Sequence, residues 1–157
     1  MKNSVVLVLN LSYDSGAALF IDGDLTAAVG EERLSRRKFT RAFPANSIRE
    51  VLKIASTTAK DITAVILASR MTPNWISLKI PDFHAGQSSN MFSPLLYWVV
   101  RQQYFFRKSG LVRLEAFLVK NFVRKRLLEF SIDAPIKFID HHISHAYSAY
   151  SSAPFDN

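Results

Sequence analysis

The chain contains no cysteine, and this absence removes two classes of site at once. Neither a disulfide nor a thiolate-bound metal ion can form in it. Glycine and proline are also sparse, with 5 and 6 among 157 residues, and the remaining composition is that of a globular protein without sequence repeats. This length predicts about one folded domain.

Long apolar runs are missing as well. The first run, residues 5–9, is too short for a signal peptide, and no small-residue cleavage site follows it. The longest later run, residues 94–100, falls far short of the roughly 20 residues that a membrane span needs. We therefore expect a cytoplasmic protein without a membrane span.

Acidic residues are the minority, and the net charge is +7. Residues 101–126 alone hold eight Lys or Arg and one Glu. Such a stretch could bind nucleic acid or acidic lipid, or it could be a solvated helix surface that meets the rest of a larger protein. Because no nucleic-acid recognition motif accompanies the charge, the second interpretation is favoured.

The first thirty residues have the pattern of three strands joined by tight turns. Residues 5–10 form a valine-rich apolar run, and two further strands are expected at residues 17–21 and 25–29. Turn-forming residues separate them at 12–16 and 22–24, where Gly16 and Gly23 lie. This order predicts an antiparallel meander.

Residues 31–43 are charged, and an irregular segment is expected there. A helix could start in this segment, but four basic residues within positions 33–38 would repel one another along it. After it, Ser47 is expected to N-cap a helix, with Glu50 completing a capping box. Apolar residues at helical spacing follow, and residues 62–68 form another apolar strand. A helix between strands predicts the α/β fold class.

Beyond this strand, residues 69–91 have loop composition, and residues 94–108 and 111–130 are predicted helices. Residues 136–139 form a short predicted strand, after which Asp140 is expected to cap a helix that begins near His141.

Three of the four histidines of the chain lie within five positions of that helix start. His141 and His145 are four residues apart, so on a helix their imidazoles share one face, which is a spacing that presents two ligands to one metal ion. Imidazole suits iron, zinc, copper or nickel, and further ligands, usually carboxylates, are needed to close such a site. His142 lies on another face, where it could donate a hydrogen bond to a phosphate or carboxylate. The alternative is that these histidines cap the helix or bond to backbone groups.

Two other segments have the chemistry of anion binding. The polar, glycine-containing turn at residues 10–16 could offer backbone N–H groups to phosphate oxygens, although an ordinary hairpin turn is the alternative. The basic segment at residues 32–38 could clamp a phosphate through its guanidinium and ammonium groups, although a solvated run of charges is the commoner outcome.

Taken together, these segments resemble the N-terminal domain of the O-carbamoyltransferases that act on nodulation factors and antibiotics. The matching stretches, in order, are NLSYDSGAAL (10–19), AAVGEERLSRRK (27–38), FP (43–44), DHHISHAYSAY (140–150) and SAPF (152–155). The resemblance spans nearly the whole chain, although residues 69–130 carry little of it and are expected to be a helical insertion.

The resemblance implies an actin- and sugar-kinase-like ATPase fold with a ribonuclease H-like motif, of which residues 1–157 would form the first lobe. It implies transfer of a carbamoyl group from carbamoyl phosphate, through carbamoyl adenylate, to a hydroxyl of a small-molecule acceptor. A divalent metal (iron), ATP and carbamoyl phosphate are the implied cofactors and substrates. The remainder of the transferase and its adenylate-forming domain are the implied partners, so the isolated 157 residues are expected to be inactive.

The resemblance also implies roles for individual residues. His141 and His145 become metal ligands, and Tyr13, Asp14, Lys38 and His142 become candidate catalytic residues. Phosphate or carbamoyl oxygens would be bound by a further set, which comprises Ser12, Ser15, Gly16, Arg33, Arg36 and Lys38. Tyr13 and Phe39 stand where the family usually has histidine, and tyrosine is a poor base near neutral pH because its unperturbed pKa is about 10.

Three alternatives remain open at this stage. The first is another phosphotransferase on the same ATPase fold, such as a sugar kinase. The second is a basic binding module, for which binding would depend steeply on salt. The third is a fragment without catalytic activity.

Overall fold

A computed structural model of the chain describes residues 4–11, 14–38, 42–68, 112–139 and 142–144. Its strands are β1 (Val5–Asn10), β2 (Gly16–Ile21), β3 (Asp24–Gly30), β4 (Ala64–Ala68) and β5 (Ile136–Ile139). Its helices are α1 (Glu31–Ser35), α2 (Ala45–Ile54) and α3 (Val112–Leu128), with a short 3-10 turn at Ala59–Asp61. Within these ranges, no helix is long and apolar enough to cross a membrane.

The five strands form one mixed sheet in the order β3-β2-β1-β4-β5. Strands β1, β2 and β3 are antiparallel neighbours joined by tight turns, whereas β4 pairs parallel to β1 and β5 pairs parallel to β4. This order is that of the ribonuclease H-like motif, so the predicted α/β fold class and meander are confirmed.

Side chains along each strand point alternately to the two faces of the sheet, and one face is more buried than the other. Leu7 and Leu9 of β1 are fully buried, whereas Val6 and Val8, which point the opposite way, are only partly covered. Across the strands, Leu7 is in register with Leu19 and Val65, so apolar side chains form continuous rows on the buried face. Residues of α2 and α3 complete the same hydrophobic core, namely Ile48, Val51, Val119, Val123 and Leu127.

Aromatic and guanidinium groups join the segment before α2 to the end of α3. The rings of Phe43 and Phe130 lie with their centroids 6.2 Å apart. The guanidinium of Arg126 lies 5.3 Å from the Phe43 ring centroid, and that of Arg49 lies 4.9 Å from the Phe130 ring centroid. Cation–π attraction at such distances adds to the burial of the rings and fixes α3 against α2.

Most of the predicted elements are confirmed within the described residues. The first and last strands have the expected bounds, and the predicted helix at residues 111–130 corresponds to α3. The expected strand at residues 62–68 begins two residues later, at Ala64. The predicted helix at 94–108, the loop at 69–91 and the proposed cap at Asp140 lie outside the described residues.

The prediction of an irregular segment after β3 is wrong at its start, because Glu31–Ser35 is helical. Charge repulsion does not prevent this helix, since Arg33 is the only basic residue inside it. The helix ends at Arg36, which adopts a left-handed conformation with φ of 56°. Two glutamates occupy its first turn, where negative charge suits the helix dipole.

The predicted capping box at Ser47 and Glu50 is also wrong. Helix α2 begins three residues earlier than this cap implies, at Ala45, with Pro44 preceding it, so Ser47 lies inside the first turn and is buried. Glu50 instead lies near Lys53, with 3.7 Å between the carboxylate and ammonium groups. A capping box does occur elsewhere, where Thr58 and Asp61 bracket the 3-10 turn.

Truncation of Leu7 should destabilise the sheet strongly, because its side chain is completely buried at the centre of the core. We expect Leu7→Ala to lower the free energy of unfolding by about 2–5 kcal/mol. The matched control is Leu25→Ala on β3, where the side chain is 59% exposed and the expected change is within about 0.5 kcal/mol. Urea unfolding of both variants measures the difference, and equal losses would contradict this assignment of the core.

Candidate functional site

A shallow pocket of about 310 Å³ opens on the less buried face of the sheet, at the end of β1 and the start of β2. Its floor is made of small side chains from three neighbouring strands, including Val8, Ala18 and Ala28, which are in register across the sheet. Polar groups enter from Asn10 and Asp14 at the rim. The pocket therefore combines an apolar floor with a polar edge, a composition typical of small-molecule sites.

Asn10 and Asp14 are linked at this rim, at the connection between β1 and β2. Asp14 adopts a left-handed conformation with φ of 57°, which is uncommon for a residue with a side chain. The side-chain amide of Asn10 donates a hydrogen bond to the Asp14 carbonyl oxygen at 3.2 Å, so the two ends of the turn are held together. Asp14 itself lines the pocket, and its expected catalytic role stays a prediction.

Two glycines face each other across β2 and β3 at the same end of the sheet. Gly16 pairs with Gly30, and both line the pocket. A Cβ atom on Gly16 would lie 2.8 Å from the Val29 carbonyl oxygen, whereas one on Gly30 would meet only the Glu32 side chain, at 3.9 Å. Gly16 is thus required by the close approach of β3, and neither residue places a side chain over the pocket.

Ser15, which lies between Asp14 and Gly16 in the sequence, is completely buried. Its backbone carbonyl oxygen accepts a hydrogen bond from the Glu31 N–H at 2.8 Å. Its hydroxyl group is buried without a hydrogen-bond partner in the described part of the chain. A buried hydroxyl that makes no hydrogen bond destabilises the folded state, and such groups in native proteins call for an explanation.

The buried carboxylate of Glu31 binds the first turn of α2. Its Oε1 accepts hydrogen bonds from the side-chain amide of Asn46 at 2.7 Å and from the Asn46 backbone N–H at 3.4 Å. Its Oε2 accepts from the backbone N–H and the hydroxyl of Ser47, both at 2.8 Å. The positive end of this helix is therefore neutralised by Glu31 and is not open to a phosphate.

The basic residues assigned to anion binding lie on α1 and directly after it. Arg33, Arg36 and Lys38 are all exposed, and Arg33 lies 3.8 Å from the Glu32 carboxylate. They are not among the described residues that line the pocket. Helix α1 nevertheless begins one residue after Gly30, so the basic segment leaves the sheet at the edge of the pocket.

The remaining candidate residues differ in how far the structure describes them. His142 is exposed and lies in a helical segment at residues 142–144. Ser12, Tyr13, His141 and His145 lie outside the described residues, as does Phe39. Among residues with a described position, no group of three or more histidine or acidic side chains is arranged to hold a metal ion.

The basic stretch at residues 101–126 is described only where it forms α3. Arg113, Lys120, Arg124 and Lys125 are exposed on this helix. Arg124 pairs with Asp133 at 3.1 Å and Arg126 pairs with Glu129 at 2.9 Å. Part of the positive charge is therefore engaged in local ion pairs.

Sequence reasoning included Asn10 only as part of the candidate turn at residues 10–16, and it assigned no individual site role to Gly30 or Glu31. Asn10 carries a recognisable signal, since an amide side chain at a strand end commonly bonds to the backbone of the following turn. Gly30 and Glu31 have no local signal, because their partners lie on β2 and α2.

Comparison with known proteins identifies the family of the chain. The family described as "Carbamoyltransferase N-terminus" matches residues 7–157. The chain therefore belongs to the carbamoyltransferases and corresponds to their N-terminal region.

The chain is also similar to individual known proteins. The chain is 30% identical over 156 residues to nodulation protein NolNO of Sinorhizobium fredii, covering 99% of this chain and 20% of that protein. It is 27% identical over 151 residues to protein sll1178 of Synechocystis sp., covering 92% and 22% respectively. The chain thus spans about a fifth of the length of these curated relatives. It is also similar to the solved structure of YeaZ from Pseudomonas aeruginosa, at 15% identity and a TM-score of 0.46, covering 95% of this chain and 49% of that one.

Substitution of Gly16 should disturb the sheet at the pocket. We expect Gly16→Ala to destabilise the protein by about 1–3 kcal/mol, because β3 must move away from the new methyl group. Gly30→Ala is the matched control and should change stability by no more than about 0.5 kcal/mol, since its Cβ meets no close atom. Chemical denaturation provides the comparison, and equal effects would refute the steric argument.

Proposed function

We propose that this protein takes part in transfer of a carbamoyl group from carbamoyl phosphate, through carbamoyl adenylate, to a hydroxyl of a small-molecule acceptor. The observation that carries the proposal is the match of the carbamoyltransferase N-terminal family across residues 7–157. The pocket between β1, β2 and β3 supports it, because Asp14, Gly16 and Asn10 meet there.

In the proposed transfer step, the acceptor oxygen forms a bond to the carbamoyl carbon, and the bond from that carbon to the adenylate oxygen breaks. AMP leaves, and the acceptor proton passes to a base. His142 is our candidate to relay this proton, and its exposure is compatible with access to a substrate. Tyr13 is a candidate hydrogen-bond donor near the reacting groups, with Asp14 beside it.

The anionic part of the substrate is assigned to the turn and the basic segment. Arg33, Arg36 and Lys38 supply positive charge, and a guanidinium can bind two phosphate oxygens at once. Ser12, Ser15 and Gly16 are the proposed contacts in the turn. Gly16 lines the pocket, which supports its part in this assignment.

A divalent metal, for which iron is favoured, is the proposed cofactor, with His141 and His145 as ligands. Imidazole donors suit such an ion, and the helical conformation of residues 142–144 supports a one-turn spacing between the two histidines. Further ligands would have to come from outside the described residues. When bound, the metal would polarise the carbamoyl carbonyl or neutralise phosphate charge.

Replacement of either histidine should remove the metal. For His141→Ala and His145→Ala in the whole transferase we expect loss of stoichiometric metal by elemental analysis and at least a ~100-fold loss of transfer, because one ligand alone holds the ion weakly. The replacement of His84, the histidine outside this cluster, should leave both quantities unchanged. Full metal content in both variants would contradict the assignment, and metal that survives removal of phosphate would argue against a sugar kinase.

Removal of positive charge from the basic segment should weaken substrate binding. We expect Arg36→Ala and Lys38→Ala each to raise the Kd for AMP, the leaving group of the proposed transfer step, by about 10–100-fold, because each variant loses a charge-assisted hydrogen bond. Arg124→Ala and Lys53→Ala remove the same charges from α3 and α2 and should have little effect. Isothermal titration calorimetry measures the four constants. Equal weakening by the controls would favour a nonspecific basic surface instead.

A further inference from the structure

The carboxylate of Glu31 has no part in the chemistry proposed above, although it is almost fully buried. Within the described residues, the buried polar side chains are those of Ser15, Glu31 and Ser47. Glu31 contacts both serines, through its backbone N–H on one side and its Oε2 on the other. The buried polar residues of this core therefore form one cluster, and Glu31 is its centre.

This cluster joins three parts of the candidate site. The Glu31 backbone N–H donates a hydrogen bond to the carbonyl oxygen of Ser15, which lies between the pocket residues Asp14 and Gly16. Its side chain is bonded to the first turn of α2 through Asn46 and Ser47. The chain then continues directly into α1 and the basic segment.

Helix α1 cannot hold this position by itself. It has five residues, and isolated helices shorter than about 12–15 residues are marginal in water. The side chain of Leu34 is 40% exposed, so it contributes limited burial. The fixed point of α1 is therefore Glu31, its first residue.

We propose that Glu31 is a positioning residue for the anion-binding segment. By bonding to Ser15 and to the first turn of α2 together, it fixes where α1 leaves the sheet and hence where Arg36 and Lys38 stand relative to the turn at Asp14. This inference rests on the proposed function for its ligand, but the placement of α1 is independent of that ligand.

The test uses Glu31→Gln in the whole protein. The amide group presents a donor to Asn46 and Ser47, which are themselves donors, so at least one hydrogen bond is lost while the side-chain size is kept. The matched control is Glu50→Gln on α2, which makes the same chemical change at a partly exposed glutamate outside the cluster. A milder variant, Ser47→Ala, removes only one of the four donors and tests the same cluster if Glu31→Gln does not fold.

Two quantities are measured at a temperature where each variant is folded. The first is hydrogen exchange of the α1 amides, including the Arg36 N–H that bonds to the Glu32 carbonyl oxygen. The second is the Kd for inorganic phosphate. We expect roughly tenfold faster exchange confined to α1 and the adjoining turn, with a Kd raised roughly tenfold, and changes within twofold for the control.

The outcomes separate the inference from the function on which it rests. Unchanged α1 exchange in both cluster variants would overturn the positioning role. So would a uniform loss of protection across β1 and α3 with an unchanged Kd, because that is the result of a purely structural carboxylate. If the unsubstituted protein does not bind phosphate, the proposed function fails, and the exchange data alone decide whether Glu31 positions α1.

Discussion

A single buried carboxylate constrains the end of the sheet where the candidate site lies. Removing a carboxylate from water costs several kcal/mol, and that cost is offset only where enough donors surround it. Glu31 has four donors, all from Asn46 and Ser47 on the first turn of α2. The requirement to satisfy this charge fixes the distance between β3 and α2, and the core between them must conform to it.

Successive side chains of each strand point to opposite faces of the sheet, and the two faces carry side chains of different size. On the buried face, long aliphatic side chains such as Leu7 and Leu19 fill the space beneath α2 and α3. On the opposite face, alanines and glycines replace them at the start of β2 and the end of β3. The pocket is therefore produced by residue size at particular register positions, and not by a break in the backbone.

The strands could be predicted from the sequence because the signals that define them are local. Alternating apolar residues, valine-rich runs and the Asp22–Gly23 turn act over fewer than ten residues. The cap of α2 could not be predicted in this way, since Glu31 lies 16 positions before Ser47. Ser47 and Glu50 had the pattern of a local cap, but the carboxylate of Glu31, from outside the helix, accepts the hydrogen bonds of the first turn.

The candidate site also combines features that have local sequence signals with features that depend on distant residues. The turn at Asp14 and Gly16 was visible as turn chemistry, and the structure places both residues at one pocket. The facing glycines were not visible, because their meeting depends on the register of β2 against β3. The local pattern suggested Arg36, Lys38, His141 and His145 as candidates but did not distinguish them from surface charge or a helix cap. Family resemblance supplied their assigned roles, which stay predictions.

The contacts between Phe43, Phe130, Arg49 and Arg126 bear on how the chain between β4 and α3 can vary. These contacts fix the far end of α3 against α2, and β5 then pairs beside β4. The described residues on either side of positions 69–111 are thus held together by their own contacts. A relative with a different length between Ala68 and Val112 can keep the same sheet and the same packing of α3.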